Sequence, residues 1–230
     1  MAGAAAGRPD QPGAIWHPSP NFGPRRDGLT PSLIVLHYTA MEGAQAALER
    51  LCDPAAEVSA HYLIGAHGGL WQMVAEENRA WHAGAGEWAG QDDINSRSIG
   101  IELGNLGTHP FSAPQMNVLE DLMRGIMQRW NIPASAVIGH SCMAPGRKFD
   151  PGPRFDWARL ARQGLAAGPG TCGAPQSLSR ERVREASHAA GFTAPTDDEA
   201  LLQAVRLRYR PWGKGPLAPE DFLPLGGCSL

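Results

Sequence analysis

The amino-acid sequence predicts an α/β fold, in which a mixed central β-sheet is flanked by helices and a small helical appendage follows at the C-terminal end. Residues 32–39 are apolar on both faces, which is typical of a central strand covered from both sides. Residues 98–103 alternate between apolar and small or polar side chains, as in a strand with one buried face. Helical patterns separate the strand patterns in the order β-α-β-β-β-α-β-α, which indicates helices packed on a mixed sheet.

The first half of the chain places a helix and a hairpin between the two long strands. Residues 1–15 are rich in Gly, Pro and Ala and are predicted to be a disordered leader. Apolar residues at helical spacing predict a helix over residues 43–52, which ends before Asp53-Pro54. Residues 61–64 and 70–74 flank a Gly-rich turn and predict a β-hairpin, and a long polar loop is expected from Trp81 to Arg97.

The second half of the chain has clear helix-start signals. Ser112 and Gln115 form a capping box with a proline in the first turn, and an apolar stripe predicts a helix as far as Trp130. A short buried strand is predicted over residues 135–138, and Asp156 is expected to cap a helix over residues 157–165. Two more helices are expected, one over residues 178–190 and one after a second capping box that begins at Thr196.

These elements predict a main domain over residues 16–168, a linker over 169–176 and an appendage over 177–230. The linker is predicted from its Gly and Pro content. An appendage of roughly 55 residues with few apolar side chains is marginal as a free-standing unit, so we expect it to dock on the main domain.

Composition argues against several classes of function. A net charge of -3 without a run of Lys or Arg argues against a nucleic-acid partner, and no apolar stretch approaches the ~18 residues of a membrane span. The first ten residues lack the features of a signal peptide, and the four cysteines form no Cys-x-x-Cys pair. We therefore expect reduced thiols and a cytoplasmic location, with the periplasm or cell envelope as the alternative. A monomer is the default expectation.

Residues able to bind a metal gather at the ends of predicted strands. His37 ends the first long strand, His140 follows the strand over 135–138, and Asp150 lies on the Pro/Gly-rich loop beyond it. Two imidazoles and one carboxylate, with a fourth position for water, are the ligand set of a catalytic zinc site. Such a site also needs a base for the water and a cation for the developing oxyanion, and Glu102 and Lys148 are candidates for these roles.

Structural explanations remain open for several of these residues. The loop after His140 can be a turn with surface charges, and His37 can be a hydrogen-bonded residue at the edge of the core. Glu102 is harder to explain in this way, because a buried charge in an apolar strand must be paired. His61 is expected either to be buried and hydrogen-bonded or to contact substrate, whereas His67 is expected to be a plain surface residue.

Five segments of the chain carry a family resemblance. They are residues 34–39 (Ile-Val-Leu-His-Tyr-Thr), 58–64 (Val-Ser-Ala-His-Tyr-Leu-Ile), 80–84 (Ala-Trp-His-Ala-Gly), 98–103 (Ser-Ile-Gly-Ile-Glu-Leu) and 140–153, which includes Ala-Pro-Gly-Arg-Lys-Phe-Asp-Pro-Gly-Pro. In this order they resemble the zinc-dependent N-acetylmuramoyl-L-alanine amidases of the type 2 family. That family is related in fold to peptidoglycan recognition proteins and to the phage T7 lysozyme. The resemblance covers roughly residues 16–165.

The resemblance implies a role for each candidate residue. His37, His140 and Asp150 would hold one Zn²⁺ per chain, Glu102 would be the general base, and Lys148 would stabilise the oxyanion. The implied reaction is hydrolysis of the amide between the lactyl group of N-acetylmuramic acid and L-alanine, in peptidoglycan or in muropeptides.

Three further residues lie in family motifs without being assigned as ligands. They are predicted to contact the substrate: His61, Trp81 and His82. Trp81 and His82 can equally hold their loop in place, and Arg147 is expected to point away from Asp150 and to form a structural salt bridge. A non-catalytic peptidoglycan-binding module of the same fold is the alternative function, although a pure binder would not need Glu102 and Lys148 around an open metal. An unrelated zinc peptidase is disfavoured because no His-Glu-x-x-His helix is present.

Two features of the sequence depart from the family pattern. Cys142 stands where family members usually carry an acidic residue, so a carboxylate beside the metal ligands would be missing and the thiol would be a possible competing ligand. The short loop after His37 resembles the broad-specificity branch of the family more than the enzyme devoted to 1,6-anhydro muropeptides. The appendage resembles a reduced form of the helical peptidoglycan-binding module of that branch, and we expect it to help bind long glycan.

Overall fold

The structure is a computed structural model that describes residues 8–170 and 178–225 of the chain. The strands in these two ranges are β1 (Ile15–Trp16), β2 (Phe22–Pro24), β3 (Leu33–Tyr38), β4 (Tyr62–Ile64), β5 (Leu70–Gln72), β6 (Asn78–Ala80), β7 (Ser98–Leu103) and β8 (Val137–Gly139). Six of them form one sheet in the order β1-β5-β4-β7-β3-β8, and β2 pairs with β6. In the large sheet the β4–β5 pair is antiparallel and the other pairs are parallel, which confirms the predicted mixed sheet and the hairpin.

Helices lie between and beyond these strands. Their bounds are α1 (Gly43–Cys52), α2 (Ile94–Arg97), α3 (Ala113–Trp130), α4 (His140–Met143), α5 (Trp157–Arg162), α6 (Arg180–Ala189), α7 (Asp198–Tyr209) and α8 (Pro219–Phe222). Within the described ranges, none of these helices has the length and apolar character needed to cross a bilayer.

Strand β3 occupies the centre of the sheet because its side chains are apolar on both faces. It pairs in parallel with β7 on one side and with β8 on the other, and Ile34, Val35 and Leu36 are fully buried. The register sets His37 directly opposite Glu102 on β7. The carboxyl ends of β3, β7 and β8 therefore meet at one edge of the sheet, which is where open α/β sheets usually bind ligands.

Helices α3 and α1 cover the sheet through separate apolar clusters. The stripe on α3, which includes Leu119, Met123 and Ile126, belongs to the main core, and the Oγ atom of Ser112 accepts the Gln115 N–H at 3.3 Å as the capping box predicts. Helix α1 contributes three residues to a smaller cluster that also contains two residues of the hairpin: Ala47, Leu48 and Leu51 with Leu63 and Met73. Each large apolar side chain buried in this way stabilises the fold by roughly 1.5–3 kcal/mol.

The prediction of a disordered leader is wrong for residues 8–15, which pack against the sheet. The carboxylate of Asp10 accepts the Glu76 N–H at 2.8 Å, and the Asp10 N–H donates to the side-chain oxygen of Gln72 at 2.7 Å. Strand β1 then adds to the sheet edge beside β5. The Gly and Pro content of this segment predicts disorder. The contacts of Asp10 could not be predicted, because a single carboxylate that accepts backbone hydrogen bonds leaves no pattern in the sequence. Residues 1–7 lie outside the described residues.

The C-terminal helices pack against the rest of the protein. The rings of Trp88 and Phe192 meet edge to face with centroids 5.1 Å apart, and the Arg208 guanidinium lies 3.6 Å above the Trp157 ring. The N-cap of α7 is Asp197, one residue after the predicted cap Thr196. The side chain of Asp197 accepts the Ala200 N–H at 2.8 Å. Most of the predicted linker lies outside the described residues, and the domain boundaries stay a prediction.

Candidate metal centre

Three side chains converge at the carboxyl edge of the central strands. The Nδ1 atoms of His37 and His140 are 3.0 Å apart, and the Oδ2 atom of Asp150 lies 2.9 Å from the first and 3.0 Å from the second. All three side chains are buried. Within the described residues they form the one cluster of His, Cys, Asp or Glu side chains that is close enough to hold a metal ion.

Local structure brings these residues together from distant parts of the chain. His37 is the fifth residue of β3, and His140 opens α4 immediately after β8. The chain then turns at Gly146, whose φ of 74° favours glycine, and returns so that the Asp150 carbonyl accepts the Ser141 N–H at 3.0 Å. The loop that carries Asp150 is thereby fixed to the helix that carries His140.

The outer nitrogens of both imidazoles have partners of their own. The Nε2 atom of His140 lies 2.9 Å from the carbonyl oxygen of Ala83, and the Nε2 atom of His37 lies 3.0 Å from the Nδ1 atom of His82. Since a carbonyl only accepts, His140 carries its hydrogen on Nε2, so its Nδ1 lone pair faces the centre. A lone pair and a carboxylate oxygen 3.0 Å apart require a cation or a proton between them, and this donor set fits a metal ion.

The pKa shifts of His37 and Asp150 agree with a cation site. Burial lowers the pKa of His37 to about 4, with further lowering by His140 and Lys148, so the imidazole is neutral at pH 7. Burial alone would raise the pKa of Asp150, but the adjoining imidazoles of His140 and His37 hold that pKa well below its usual range. The neutral imidazole of His37 and the ionised carboxylate of Asp150 are in the protonation states that metal binding requires.

Glu102 lies beside this centre, directly opposite His37 in the register of β7 and β3. Its Oε2 atom is buried and has no hydrogen-bond partner in the described protein. Burial raises the pKa of the Glu102 carboxyl to about 8, Asp150 adds to this effect, and Lys148 opposes it. An unpaired carboxyl that titrates near neutral pH is suited to proton transfer.

A groove of about 360 Å³ opens over the centre. Lys148 lines it beside the three converging side chains, and Arg50 on α1 and Arg147 contribute two more cations. Val58, Trp81 and Phe149 supply apolar surface. A groove with apolar walls and a few charged groups suits a ligand that carries both apolar and charged parts.

The structure corrects the prediction for Arg147 and shows the hydrogen-bond partners of His61. Arg147 forms no ion pair among the described residues; its guanidinium donates to the carbonyl oxygens of Ala83, at 2.8 Å, and Ala85. Arg147 also lines the groove, on the same side of the loop as Asp150, although it was expected to point away from that residue. His61 is fully buried: its Nδ1 accepts the Gly100 N–H at 3.0 Å, and its Nε2 lies 3.1 Å from the Asn78 carbonyl oxygen. These partners favour the buried, hydrogen-bonded alternative for His61 over a substrate contact.

Cys142 is not part of the metal-binding cluster, which disfavours the competing ligand considered from the sequence. The side chain is 1% exposed, and burial raises the pKa of its thiol, with the Arg208 charge opposing. Arg208 itself is buried, and its NH1 atom has no hydrogen-bond partner in the described protein. The residue that departs from the family pattern therefore faces helix α7 and not the metal centre.

The sequence did not predict the groups that hold His82 and Ala83 behind the two candidate ligands His37 and His140. The side-chain oxygen of Asn95 accepts the N–H groups of His82 and Ala83, at 3.0 and 2.8 Å, and so fixes this segment beside the centre. Ser98 contacts the far nitrogen of the His82 ring at 3.2 Å. A backbone carbonyl or a single Asn in a polar loop carries no sequence signal. Ser98 was the exception, because the alternating pattern of β7 already placed it on the polar face of that strand.

Comparisons with known proteins agree with this geometry. The family model described as N-acetylmuramoyl-L-alanine amidase matches residues 27–153. The chain is 40% identical over 205 residues to the N-acetylmuramoyl-L-alanine amidase AmiD of Escherichia coli, covering 82% of this chain and 70% of that protein. It is 36% identical over 165 residues to the 1,6-anhydro-N-acetylmuramyl-L-alanine amidase AmpD of the same organism, covering 64% of this chain and 90% of that protein.

Solved structures give the same result. A complex of E. coli AmiD with the substrate anhydro-N-acetylmuramic acid-L-Ala-D-γ-Glu-L-Lys matches with a TM-score of 0.77 and 30% sequence identity. The match covers 86% of this chain and 89% of that one, so it extends over the mixed sheet and the flanking helices.

Proposed function

The chain belongs to the N-acetylmuramoyl-L-alanine amidase family, and we propose that it is a zinc hydrolase acting on peptidoglycan or muropeptides. The bond cleaved is the amide between the lactyl group of N-acetylmuramic acid and L-alanine. The observation that carries the proposal is the convergence of His37, His140 and Asp150 beside an unpaired carboxyl, Glu102. Two nitrogen ligands and one oxygen ligand, with one side open to the groove, match the ligand set of a catalytic zinc site.

In this proposal each residue has a separate role in the reaction. A bound Zn²⁺ would polarise the substrate carbonyl and lower the pKa of the attacking water. The Glu102 carboxylate takes a proton from that water and returns it to the leaving nitrogen of L-alanine. The pKa of Glu102, which is about 8 without a metal, would be lowered by a divalent cation nearby, so the carboxylate form would be available at neutral pH. The Lys148 ammonium group stabilises the negative charge that develops on the carbonyl oxygen.

The charges of the groove support a stem peptide as part of the substrate. The peptide bound to AmiD contains a γ-linked D-Glu, and a γ-linked glutamate keeps a free α-carboxylate. Arg50 is exposed at the groove, and no ion pair is recorded for it among the described residues, so its guanidinium is available to a carboxylate. Trp81 offers an apolar surface for the sugar or the peptide.

The test is product analysis by mass spectrometry on defined muropeptides, in reduced and 1,6-anhydro forms, with and without a chelator. We expect release of the free peptide, about one zinc per chain, and loss of both metal and activity in His37→Ala and Asp150→Ala. Full activity in a demonstrably metal-free preparation would contradict the proposal. Binding of murein without any amide cleavage would favour the non-catalytic binding module.

We propose the cytoplasm as the site of action, with the periplasm or cell envelope as the alternative. Within the described residues Cys52 and Cys142 form no disulfide, which is compatible with a reducing compartment; Cys172 and Cys228 lie outside the described residues. Fractionation of cells that carry a tagged chromosomal copy distinguishes the two locations.

A further inference from the structure

A chain of polar groups runs from the metal centre into the protein. The Nε2 atom of His37 lies 3.0 Å from the Nδ1 atom of His82, and the Nε2 atom of His82 lies 3.2 Å from the Oγ atom of Ser98. The Ser98 hydroxyl in turn lies 2.5 Å from the carbonyl oxygen of Ile94. This series of hydrogen bonds therefore begins at the candidate ligand His37 and ends at the Ile94 carbonyl, which can only accept.

This fixed end sets the direction of every hydrogen bond in the chain. Because the Ile94 carbonyl only accepts, the Ser98 hydroxyl donates its single hydrogen there and must accept from His82. The neutral His82 ring then carries its hydrogen on Nε2 and presents a lone pair at Nδ1. His37 donates from Nε2 to that lone pair, which leaves the Nδ1 atom of His37 without a hydrogen, facing His140 and Asp150.

The backbone is shaped to admit the His82 ring at this position. A Cβ atom on Gly100 would lie 2.4 Å from the Cγ atom of His82, so only glycine leaves room for the imidazole above β7. Asn95 fixes the backbone of residues 82 and 83 through two hydrogen bonds. The next residue, Ala83, supplies the carbonyl that orients His140. One anchored segment therefore contacts the outer nitrogens of both candidate ligands.

We propose that His82 is a positioning residue of the metal centre, which fixes the tautomer and ring orientation of His37 so that Nδ1 faces the ion. Both ring nitrogens of His82 are occupied by protein groups, so this role replaces the substrate contact predicted from its motif. The inference rests on the proposed zinc site. Groups that orient a metal ligand from behind typically change metal affinity by ~10–100-fold when removed.

The experiment compares zinc dissociation constants of the full chain, measured against a competing chelator. His82→Ala removes the acceptor for His37 and should weaken zinc binding ~10–100-fold. His82→Asn keeps an acceptor oxygen where Nδ1 stood and should recover most of the affinity. His67→Ala, which removes an exposed histidine in the hairpin turn, is the matched control and should bind zinc as the unmodified protein does.

A second readout is independent of bound metal. Long-range ¹H–¹⁵N correlation spectra of the metal-free protein report which nitrogen of His37 carries hydrogen. We expect Nε2–H in the unmodified protein and in His82→Asn, and a mixture of tautomers in His82→Ala. An unchanged zinc affinity together with an unchanged His37 tautomer in His82→Ala would overturn the inference.

Failure of the inference can be told apart from failure of the proposed function. An unmodified protein that binds no zinc contradicts the zinc site, whereas tight zinc binding that is indifferent to His82 contradicts only the positioning role. If His82→Ala does not fold, Gly100→Ala supplies the same perturbation from the opposite side, because the added methyl group displaces the ring. Undiminished zinc affinity in a folded Gly100→Ala protein would then overturn the inference.

Discussion

Replacing Glu102 by glutamine should stabilise the metal-free protein, and the gain should grow with pH. The carboxyl is buried beside Asp150, and its pKa rises from 4.5 to about 8 on folding. A carboxyl whose pKa is raised in the folded state holds a proton that the unfolded chain gives up. Its effect on stability is therefore absent below about pH 4.5 and grows increasingly unfavourable as the pH rises to about 8, above which it is constant.

The magnitude follows from the same shift. A change from 4.5 to about 8 corresponds to roughly 5 kcal/mol in full. Between pH 6.5 and pH 9 the free energy of unfolding should fall by about 2 kcal/mol more in the unmodified protein than in Glu102→Gln. The histidines are the same in both proteins, so their contribution to the pH dependence cancels in this difference.

The assay is urea unfolding in the presence of a chelator at several pH values across that window. Glu77→Gln, which changes an exposed carboxylate away from the groove, is the matched control and should track the unmodified protein. Adding zinc should reduce the advantage of Glu102→Gln, since a dication favours the ionised carboxylate. Parallel pH profiles for Glu102→Gln and the unmodified protein would show that folding does not raise the pKa of Glu102 as described above.

Three further changes test other parts of the structure. Lys148→Met should keep the metal and reduce turnover by ~10²–10³-fold, and a near-normal rate would remove Lys148 from the reaction. Cys142→Asp should raise thermal stability relative to Cys142→Ser, because a carboxylate at this position would be attracted by the nearby charge of Arg208; equal melting temperatures would contradict this. Phe192→Ala should cost ~3–5 kcal/mol through its lost packing on Trp88 yet leave zinc affinity unchanged, and weaker zinc binding would show that the C-terminal helices shape the metal centre.

The central strands and the candidate ligands could be predicted from sequence because their signals are local. Apolar periodicity identified β3 and β7, and the loop after His140 placed His and Asp on a short segment with strong family likeness. The capping box at Ser112 marked the start of α3 correctly. In each case a few neighbouring residues determine the local structure.

What could not be predicted depends on contacts between distant segments. Asp10 secures residues 8–15 by reaching Glu76, and Arg147 finds carbonyl oxygens on the loop of residues 83–85 in place of a carboxylate. The second nitrogen of each candidate ligand is satisfied from this same region of the chain. No residue pattern in that region distinguishes the carbonyl that accepts from its neighbours, so only the folded chain identifies it.

The parallel pairing of β3 with β8 has a consequence for how the protein folds. His37 and His140 are separated by 103 residues, so the centre can form only after the loops between the strands have closed. An ion held there would tie together the ends of strands that are joined only by hydrogen bonds and side-chain packing. Zinc should then slow amide hydrogen exchange most in β3, which is paired on both sides, and least in β1 at the edge of the sheet.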